Sequence, residues 1–460
     1  MAGLASIPAA VGALACAAAV LLPLSARAFW QRRSRETHRR GALIEDCRPR
    51  VWRRRLIRPR RSGAQITLAG VGVAAMEEAK HFKMIGTTGT GKSTAIRELL
   101  EGALRRGDRA IISDPDGGYL AALQRRYRGD VVLNPFAADS VQWDPFAEIQ
   151  NSYDIEQLSS ALIPPSDDPS SREWRTYART FFAAVIRRCH RRRRCDLNEL
   201  WRLLAMAPNE ELRPLVAGTP AQPFLELDNA RMFGSIRSVL ISAIAALEYI
   251  KAQRAVSFSV REWVRRGRGV LFIPYQAGQI AALRSIIAAW MRLAIVEAMS
   301  QPENLDQRLW FVVDELDALG AIDGLKDALA RLRKFGGRCV LGFQSIAQVS
   351  STYGAGEAQT IVENCGNTLI LRCSGSENGG TSHFASRIIG EREVLRLQTS
   401  RGRDREAGLG LRGARRSTQT SEHHATEMAL MPSELEQLPD LSGYLKLASS
   451  ASWRRVSLRR

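Results

Sequence analysis

The segment Gly86-Thr87-Thr88-Gly89-Thr90-Gly91-Lys92-Ser93 matches G-x-x-x-x-G-K-S/T, the spacing of a phosphate-binding loop. Its chemistry is phosphate capture. Glycines let backbone N–H groups wrap an oxyanion at a helix N-terminus, a lysine reaches the β and γ phosphates, and a hydroxyl holds Mg2+. Lys92 and Ser93 fill the last two roles, and Gly86, Thr87, Thr88, Gly89, Thr90, Gly91 and Thr94 are the other nucleotide-binding candidates. Far along the chain, Leu309-Trp-Phe-Val-Val is an apolar run ending in Asp314 and Glu315. A buried parallel strand delivers such a pair at its carboxyl end, where Asp314 orders the Mg2+ shell and Glu315 orients or deprotonates the attacking water. Arg338–Phe343 runs into Gln344, either a γ-phosphate sensor or an ordinary turn residue. Ala110–Ile112 runs into Asp114-Pro-Asp-Gly-Gly, which is also a good turn.

These groups meet only if strands and helices alternate. His81–Ile85 reads as a short strand before the loop, and Ser93–Arg106 repeats Ala95, Ile96, Leu99, Leu100, Ala103 and Leu104 at helical spacing until Gly107. With Ala110–Ile112 this makes a βαβ unit. From about Ser152 to Lys251 the period is helical throughout: Ser171–Arg193, Asp196 as N-cap to Met206, Asn209–Val216, and Asp228 as N-cap to Ile250. A strand at Val270–Ile273 and a long helix over Gly278–Met299 restore the alternation, which continues through Leu371. The economical architecture is α/β: one doubly wound, mainly parallel sheet interrupted by an all-α insertion of about a hundred residues. In such a sheet a ligand lies outside the carboxyl ends of the strands, so the four polar strand ends converge on one crevice.

Lys and Arg total 66 against 47 Asp and Glu, a formal charge of +19. That excess points to a polyanionic partner, nucleic acid or an acidic membrane face, or else to the codon bias of a GC-rich genome. Seven cysteines without a C-x-x-C pair argue against a disulfide framework or zinc ribbon. No residue from Leu4 to Leu24 is charged, and about 21 residues at about 1.5 Å each reach about 31 Å, the thickness of a hydrocarbon core. Arg27–Arg61 then carries fourteen Arg and three acids. The positive-inside rule puts that side in the cytoplasm, predicting one transmembrane anchor over 1–26 and a basic juxtamembrane segment over 27–61 that holds anionic headgroups. A cleaved signal peptide would want a positive n-region, which Met1–Leu4 lacks; a buried Ala-rich helix is the other alternative.

The helix Leu325–Phe335 sets Leu325, Leu329 and Leu332 on one face and crowds Arg331, Arg333 and Lys334 into its last turn. Cations there suit the helix dipole. The alternative is an arginine that reaches a neighbouring subunit's nucleotide, worth about 10³ to 10⁵ in rate. Arg187, Arg188, His190 and Arg191–Arg194 form either a solvated face or a contact for DNA or an acidic protein, and Trp453–Arg460 reads as a similar basic tail. Leu397–Ser421, rich in Arg, Gly and Ser, reads as a loop without an assigned role.

In order along the chain, GTTGTGKSTAIRELL, DPDGGY, LNPF, WDPF, WFVVDELDALGAIDGLKDALARLRKFGGR, GFQS and NCGNTLILRC resemble the type IV secretion coupling proteins of bacterial conjugation, the TraD/TrwB-like group, over about Gly70–Gly390. The resemblance implies a RecA-like P-loop ATPase that uses ATP and Mg2+. Its nucleotide-binding domain would occupy 62–151 and 256–450, with the all-α domain inserted over 152–255 and a basic tail over 451–460. It further implies a homo-hexamer at the bacterial inner membrane, its bulk in the cytoplasm. Such a ring connects a relaxase-bound single DNA strand and its relaxosome to the secretion channel and moves it by ATP hydrolysis. By position, Lys92 and Ser93 match the phosphate loop, Asp314 and Glu315 the acidic pair, Arg333 the arginine finger, and Gln344 the γ-phosphate sensor. Many relatives carry two membrane spans where this sequence predicts one.

Two other readings stay open. An FtsK/HerA-like duplex-DNA translocase predicts stimulation by double-stranded DNA and a winged-helix module, which the sequence after Gly390 does not offer. A nucleotide-gated membrane docking receptor without motor activity predicts that Glu315→Gln leaves recruitment and transfer intact.

Overall fold

The structure, a computed structural model, describes residues 36–46, 66–166, 168–192, 196–377, 379–404 and 415–459. The span expected over Leu4–Leu24 and most of the basic segment 27–61 lie outside the described residues. Among the described residues no helix is long and apolar enough to cross a membrane. The chain divides into two compact units, a larger one (Asp46–Ala385, Pro432–Ser450, Arg454–Arg460) and a smaller one (Met1–Glu45, Ser386–Met431, Ala451–Trp453).

The larger unit is built on β1 (Phe82–Ile85), β2 (Arg109–Pro115), β3 (Val131–Val132), β4 (Val270–Tyr275), β5 (Leu309–Val313), β6 (Gly337–Phe343), β7 (Asn367–Ile370), β8 (Ser442–Lys446) and, from Arg454 on, β9 (Ser452–Ser457). They lie side by side in the order β9-β8-β7-β1-β6-β5-β2-β4-β3. All neighbours from β7 to β3 pair parallel; β8 pairs antiparallel with β7 and with β9. Every residue of β1, β4, β5 and β6 is buried, which is why β4 and β5 read as unbroken apolar runs rather than alternating ones; Lys83 in β1 and Arg338 in β6 are the buried charged exceptions. Helix α1 (Lys92–Arg105) buries Ala95, Ile96, Leu99, Leu100, Ala103 and Leu104, the stripe its spacing predicts. Strand β2 continues past Ile112 because β4 pairs with it as far as Tyr275↔Pro115, and α2 (Gly118–Leu123) follows.

From Ser152 to Lys251 the described chain is helical: α3 (Ser152–Leu162), α4 (Pro169–Arg192), α5 (Leu197–Ala205), α6 (Asn209–Val216), α7 (Ala230–Ile244) and α8 (Leu247–Lys251), with two short 3-10 turns before α7. Asp196 caps α5, its carboxylate accepting the Glu199 N–H at 2.8 Å. The single helix expected from Asp228 to Ile250 is broken: Asp228 sits within the turn Leu227–Asn229, and α7 ends before Ala245. Buried Leu240, Ile244, Leu247 and Ile250 keep helical spacing across that break, so periodicity alone does not register it. Arg187 of the basic run pairs with Glu156 at 2.9 Å, and residues 193–195 lie outside the described ones.

Then α9 (Val260–Arg266), α10 (Ile280–Ser300) and α11 (Leu325–Arg331) complete the frame. Arg261 of α9, 4% exposed, joins Asp154 of α3 at 2.5 Å, Glu297 of α10 at 2.8 Å and the Glu148 carbonyl at 3.1 Å. Removing one member of a buried ion cluster leaves charge uncompensated, so Arg261→Ala is expected to cost about 3–5 kcal/mol of stability. Chemical denaturation reads this as a lower midpoint at unchanged slope.

In the smaller unit, Glu36–Gly41, Glu391–Asp404 and Arg415–Met428 form an antiparallel sheet. The expected loop over Leu397–Ser421 is therefore largely strand, in register from Glu391↔Met428 to Asp404↔Arg415. Cross-strand backbone pairing between residues far apart in sequence is the reason, and composition does not carry it. Glu393 pins the three strands together through Arg39 at 3.3 Å, Arg40, and His424 at 3.2 Å. The expected basic tail, 451–460, is also largely strand: Ser442↔Ser457 to Leu445↔Arg454 pair it to β8, and Val456 and Leu458 are buried.

Candidate functional site

Strand β1 ends at Ile85, and the chain passes through the glycine-rich loop into α1. Gly89 and Gly91 have φ of +76° and +115°, so the loop closes this way only with glycine at those positions. Lys92 folds back over the loop, donating to the carbonyls of Gly86 at 2.6 Å and Thr87 at 3.2 Å. Burial pulls its ammonium below the usual lysine value, with Asp314 and Glu315 opposing the shift. Thr88, Gly89, Gly91, Lys92, Ser93 and Thr94 line a cleft together with Asp314, Glu315, Gln344, Asp440 and Leu441. Gly86, Thr87 and Thr90 are not among the lining residues. They brace the loop from behind: Thr90 Oγ1 donates to the Thr87 carbonyl at 2.7 Å, and the Thr87 N–H donates to the Arg372 carbonyl at 2.9 Å.

Because β5 and β6 run parallel to β1, their carboxyl ends open on the same edge as the loop. Ser93 Oγ donates to Asp314 Oδ2 at 2.6 Å, and the Tyr119 hydroxyl donates to the same oxygen at 2.8 Å. Asp314 Oδ1 is buried without a hydrogen-bond partner among the described residues. A buried, unpartnered carboxylate oxygen beside a serine hydroxyl fits a hard divalent cation, which takes oxygen ligands and leaves its other positions to phosphate and water. Glu315 Oε1 accepts from Gln344 Nε2 at 3.0 Å, and Gln344 Oε1 accepts from Thr88 Oγ1 at 2.8 Å. Burial first, and then the neighbouring Asp314 charge, raise the Glu315 carboxyl above the usual glutamate value, toward what a general base needs near neutral pH.

Tyr119 and Asp440 belong to this constellation, though motif spacing does not single them out. Asp114, at the end of β2, accepts the N–H groups of Tyr119 at 2.9 Å and Leu120 at 2.7 Å, which holds the start of α2 and aims Tyr119 at Asp314. Asp114 is thus a capping carboxylate and not a lining residue of the cleft. Burial pushes its carboxyl from the ordinary 3.8 up to about 6. A carboxyl raised on folding contributes most below its unfolded value and loses that contribution as pH rises through the folded one. In the metal-free protein, stability is therefore expected to fall between 3.8 and about 6, and Asp114→Asn to flatten that slope in denaturant titrations across this pH range.

Arg333 is not brought to the cleft. It is exposed on the 3-10 turn Leu332–Phe335 that leads into β6, whereas Gln344 follows the other end of that strand. Seven strand residues at about 3.3 Å each separate the two edges by about 23 Å, so Arg333 cannot serve its own chain's loop.

The family profile of the type IV secretion-system coupling protein DNA-binding domain matches residues 65–459. The chain belongs to the type IV secretion-system coupling proteins. This coupling protein is similar to the coupling protein TraD of Escherichia coli K12, 28% identical over 414 residues that cover 88% of this chain and 56% of TraD. It is also similar to a conjugal transfer protein TraG of Escherichia coli, 22% identical over 377 residues, 72% of this chain and 58% of that one. The coupling protein thus spans about half the length of the curated relatives it matches. Among solved structures, the conjugative coupling protein TrwB in an unbound form aligns with a TM-score of 0.75 at 31% identity, covering 87% of this chain and 89% of that one. TrwB in complex with ADP and Mg2+ aligns with the same TM-score of 0.75 at 30% identity and the same coverage, 87% and 89%. The fold is the RecA-like, mainly parallel one of TrwB.

Proposed function

We propose that this coupling protein is an ATP hydrolase, anchored in the bacterial inner membrane by residues 1–26, that connects a relaxase-bound single DNA strand to a type IV secretion channel and drives its transfer. The observation that carries the reading is the convergence of Ser93, Asp314, Glu315 and Gln344 on one cleft at the phosphate loop. ATP and Mg2+ are the ligands carried over from TrwB, which has been solved with an ATP analogue and with ADP and Mg2+. Bound Mg2+ would offset phosphate charge, held by Ser93 and Asp314.

The loop from Gly86 to Thr94 wraps the phosphates, and Lys92 leaves the Gly86 carbonyl for the β and γ phosphates. Glu315 takes the proton of the attacking water, and Gln344, bonded to both Glu315 and Thr88, senses the γ phosphate. Arg333 completes the cleft of the next protomer in a ring of six. The all-α domain, 152–255, faces the cytoplasm and receives substrate, and the two parts of the nucleotide-binding domain, 62–151 and 256–450, form the motor.

ATP hydrolysis by the full chain in membranes is expected to rise with single-stranded DNA and to vanish in Lys92→Ala. Stimulation by duplex alone would favour a translocase, and transfer surviving Glu315→Gln would favour a docking receptor. Tyr119→Phe removes one of the two hydrogen bonds on Asp314 Oδ2. It is expected to weaken Mg2+ affinity about 10-fold while sparing metal-free nucleotide binding, as read by Mg2+ titration of nucleotide fluorescence.

A further inference from the structure

On one side of β1 the cleft is bounded by β6 and β5, which deliver Gln344, Asp314 and Glu315; on the other lie β7, β8 and β9. That second side is built by the far end of the chain. The Leu441 N–H donates to the Thr90 carbonyl at 2.9 Å, and the Leu458 N–H donates to the Leu441 carbonyl at 2.7 Å. A Cβ on Gly91 would lie 2.9 Å from side-chain carbons of both Leu441 and Leu458, so the segment packs directly on the loop. Leu441 holds φ of +61°, a left-handed conformation that a leucine keeps only where its surroundings impose it.

The residue before it, Asp440, lines the cleft with a side chain 53% exposed, and Arg372 Nη2 meets its Oδ1 at 2.6 Å. Arg372 is itself tied to both walls, donating to the Leu438 carbonyl at 3.4 Å and accepting the Thr87 N–H at 2.9 Å on its own carbonyl. We infer that Asp440, positioned by Arg372, is the residue that recognises the ribose hydroxyls of the bound nucleotide.

The inference rests on the nucleotide reading above. With the terminal phosphate held toward Asp314, Glu315 and Gln344, the nucleoside extends the other way, over Asp440 and Leu441. An ionised carboxylate only accepts hydrogen bonds: Asp314 and Glu315 at the phosphate end face the metal and the attacking water, whereas Asp440, away from both, needs donors from the ligand itself. Ribose hydroxyls are such donors. Arg372 offsets the carboxylate charge and fixes its rotation, which leaves an oxygen for the sugar.

The test measures equilibrium binding of ATP, 2′-deoxy-ATP, 3′-deoxy-ATP, GTP and inorganic triphosphate to the full chain, to Asp440→Ala and to the near-isosteric Asp440→Asn. The unaltered chain is expected to favour ATP over at least one deoxy analogue by about 10-fold, the scale of a hydrogen bond to a charged group. Asp440→Ala should erase that preference, with triphosphate affinity and the ATP-to-GTP ratio unchanged. Asp440→Asn should shrink the preference without removing it. A preference that survives Asp440→Ala overturns the inference, as does a changed ATP-to-GTP ratio with the sugar preference intact. Equal loss of ATP and triphosphate binding in both variants also overturns it. Binding of triphosphate by Lys92→Ala at unaltered affinity would overturn the phosphate-loop reading itself, and the inference with it.

Discussion

Replacing Arg333 with alanine is expected to lower ATP turnover by about 10³- to 10⁵-fold while the affinity of each protomer for nucleotide stays near that of the unaltered chain. The expectation follows from where the side chain is. Arg333 is exposed at the entry of β6, the edge opposite the phosphate loop, with a strand of seven residues between them. Nothing in its own cleft needs it. In the proposed ring its guanidinium would reach an adjoining protomer, where positive charge against a leaving phosphate counts most in the transition state. Steady-state hydrolysis combined with fluorescent-nucleotide binding separates the two quantities. Arg333→Lys keeps the charge but not the planar fork, and is expected to recover only part of the rate.

Glu315→Gln is expected to lower turnover by about 10² to 10⁴, again with ATP binding retained. Glutamine preserves the oxygen that accepts from Gln344 Nε2, so the cleft keeps its shape while losing its base. The pH dependence separates this from a structural defect. Burial, the largest cause, raises the Glu315 carboxyl, and a base acts only when deprotonated. The acid limb of the turnover profile should therefore lie above the usual glutamate range, and the residual rate of Glu315→Gln should lack that limb. Conjugative transfer should stop in the same variant.

The parts of this site that are local in sequence were legible there. The phosphate loop needs only its own eight residues, and β5 announces Asp314 and Glu315 because a strand buried on both faces is apolar along its whole length. What sequence could not show depends on meetings between distant segments. Tyr119 reaches Asp314 across 195 positions, and Asp440 reaches the cleft from the far end of the chain, neither with a motif of its own. The same reason hid much of the paired strands 391–404 and 415–428, because the Arg-, Gly- and Ser-rich composition of Leu397–Ser421 reads as a loop until the cross-strand register is seen. Asp114 shows the converse: the strand-end position was legible, but its role as a cap depends on the turn that follows it.

The most direct measurement co-expresses Lys92→Ala and Arg333→Ala chains and compares ATP hydrolysis by the mixed oligomer with that of each variant alone. If each cleft takes its loop from one protomer and its arginine from the next, some mixed interfaces hold both intact, and turnover should reappear. A verified mixed oligomer as inactive as its components would contradict a shared cleft.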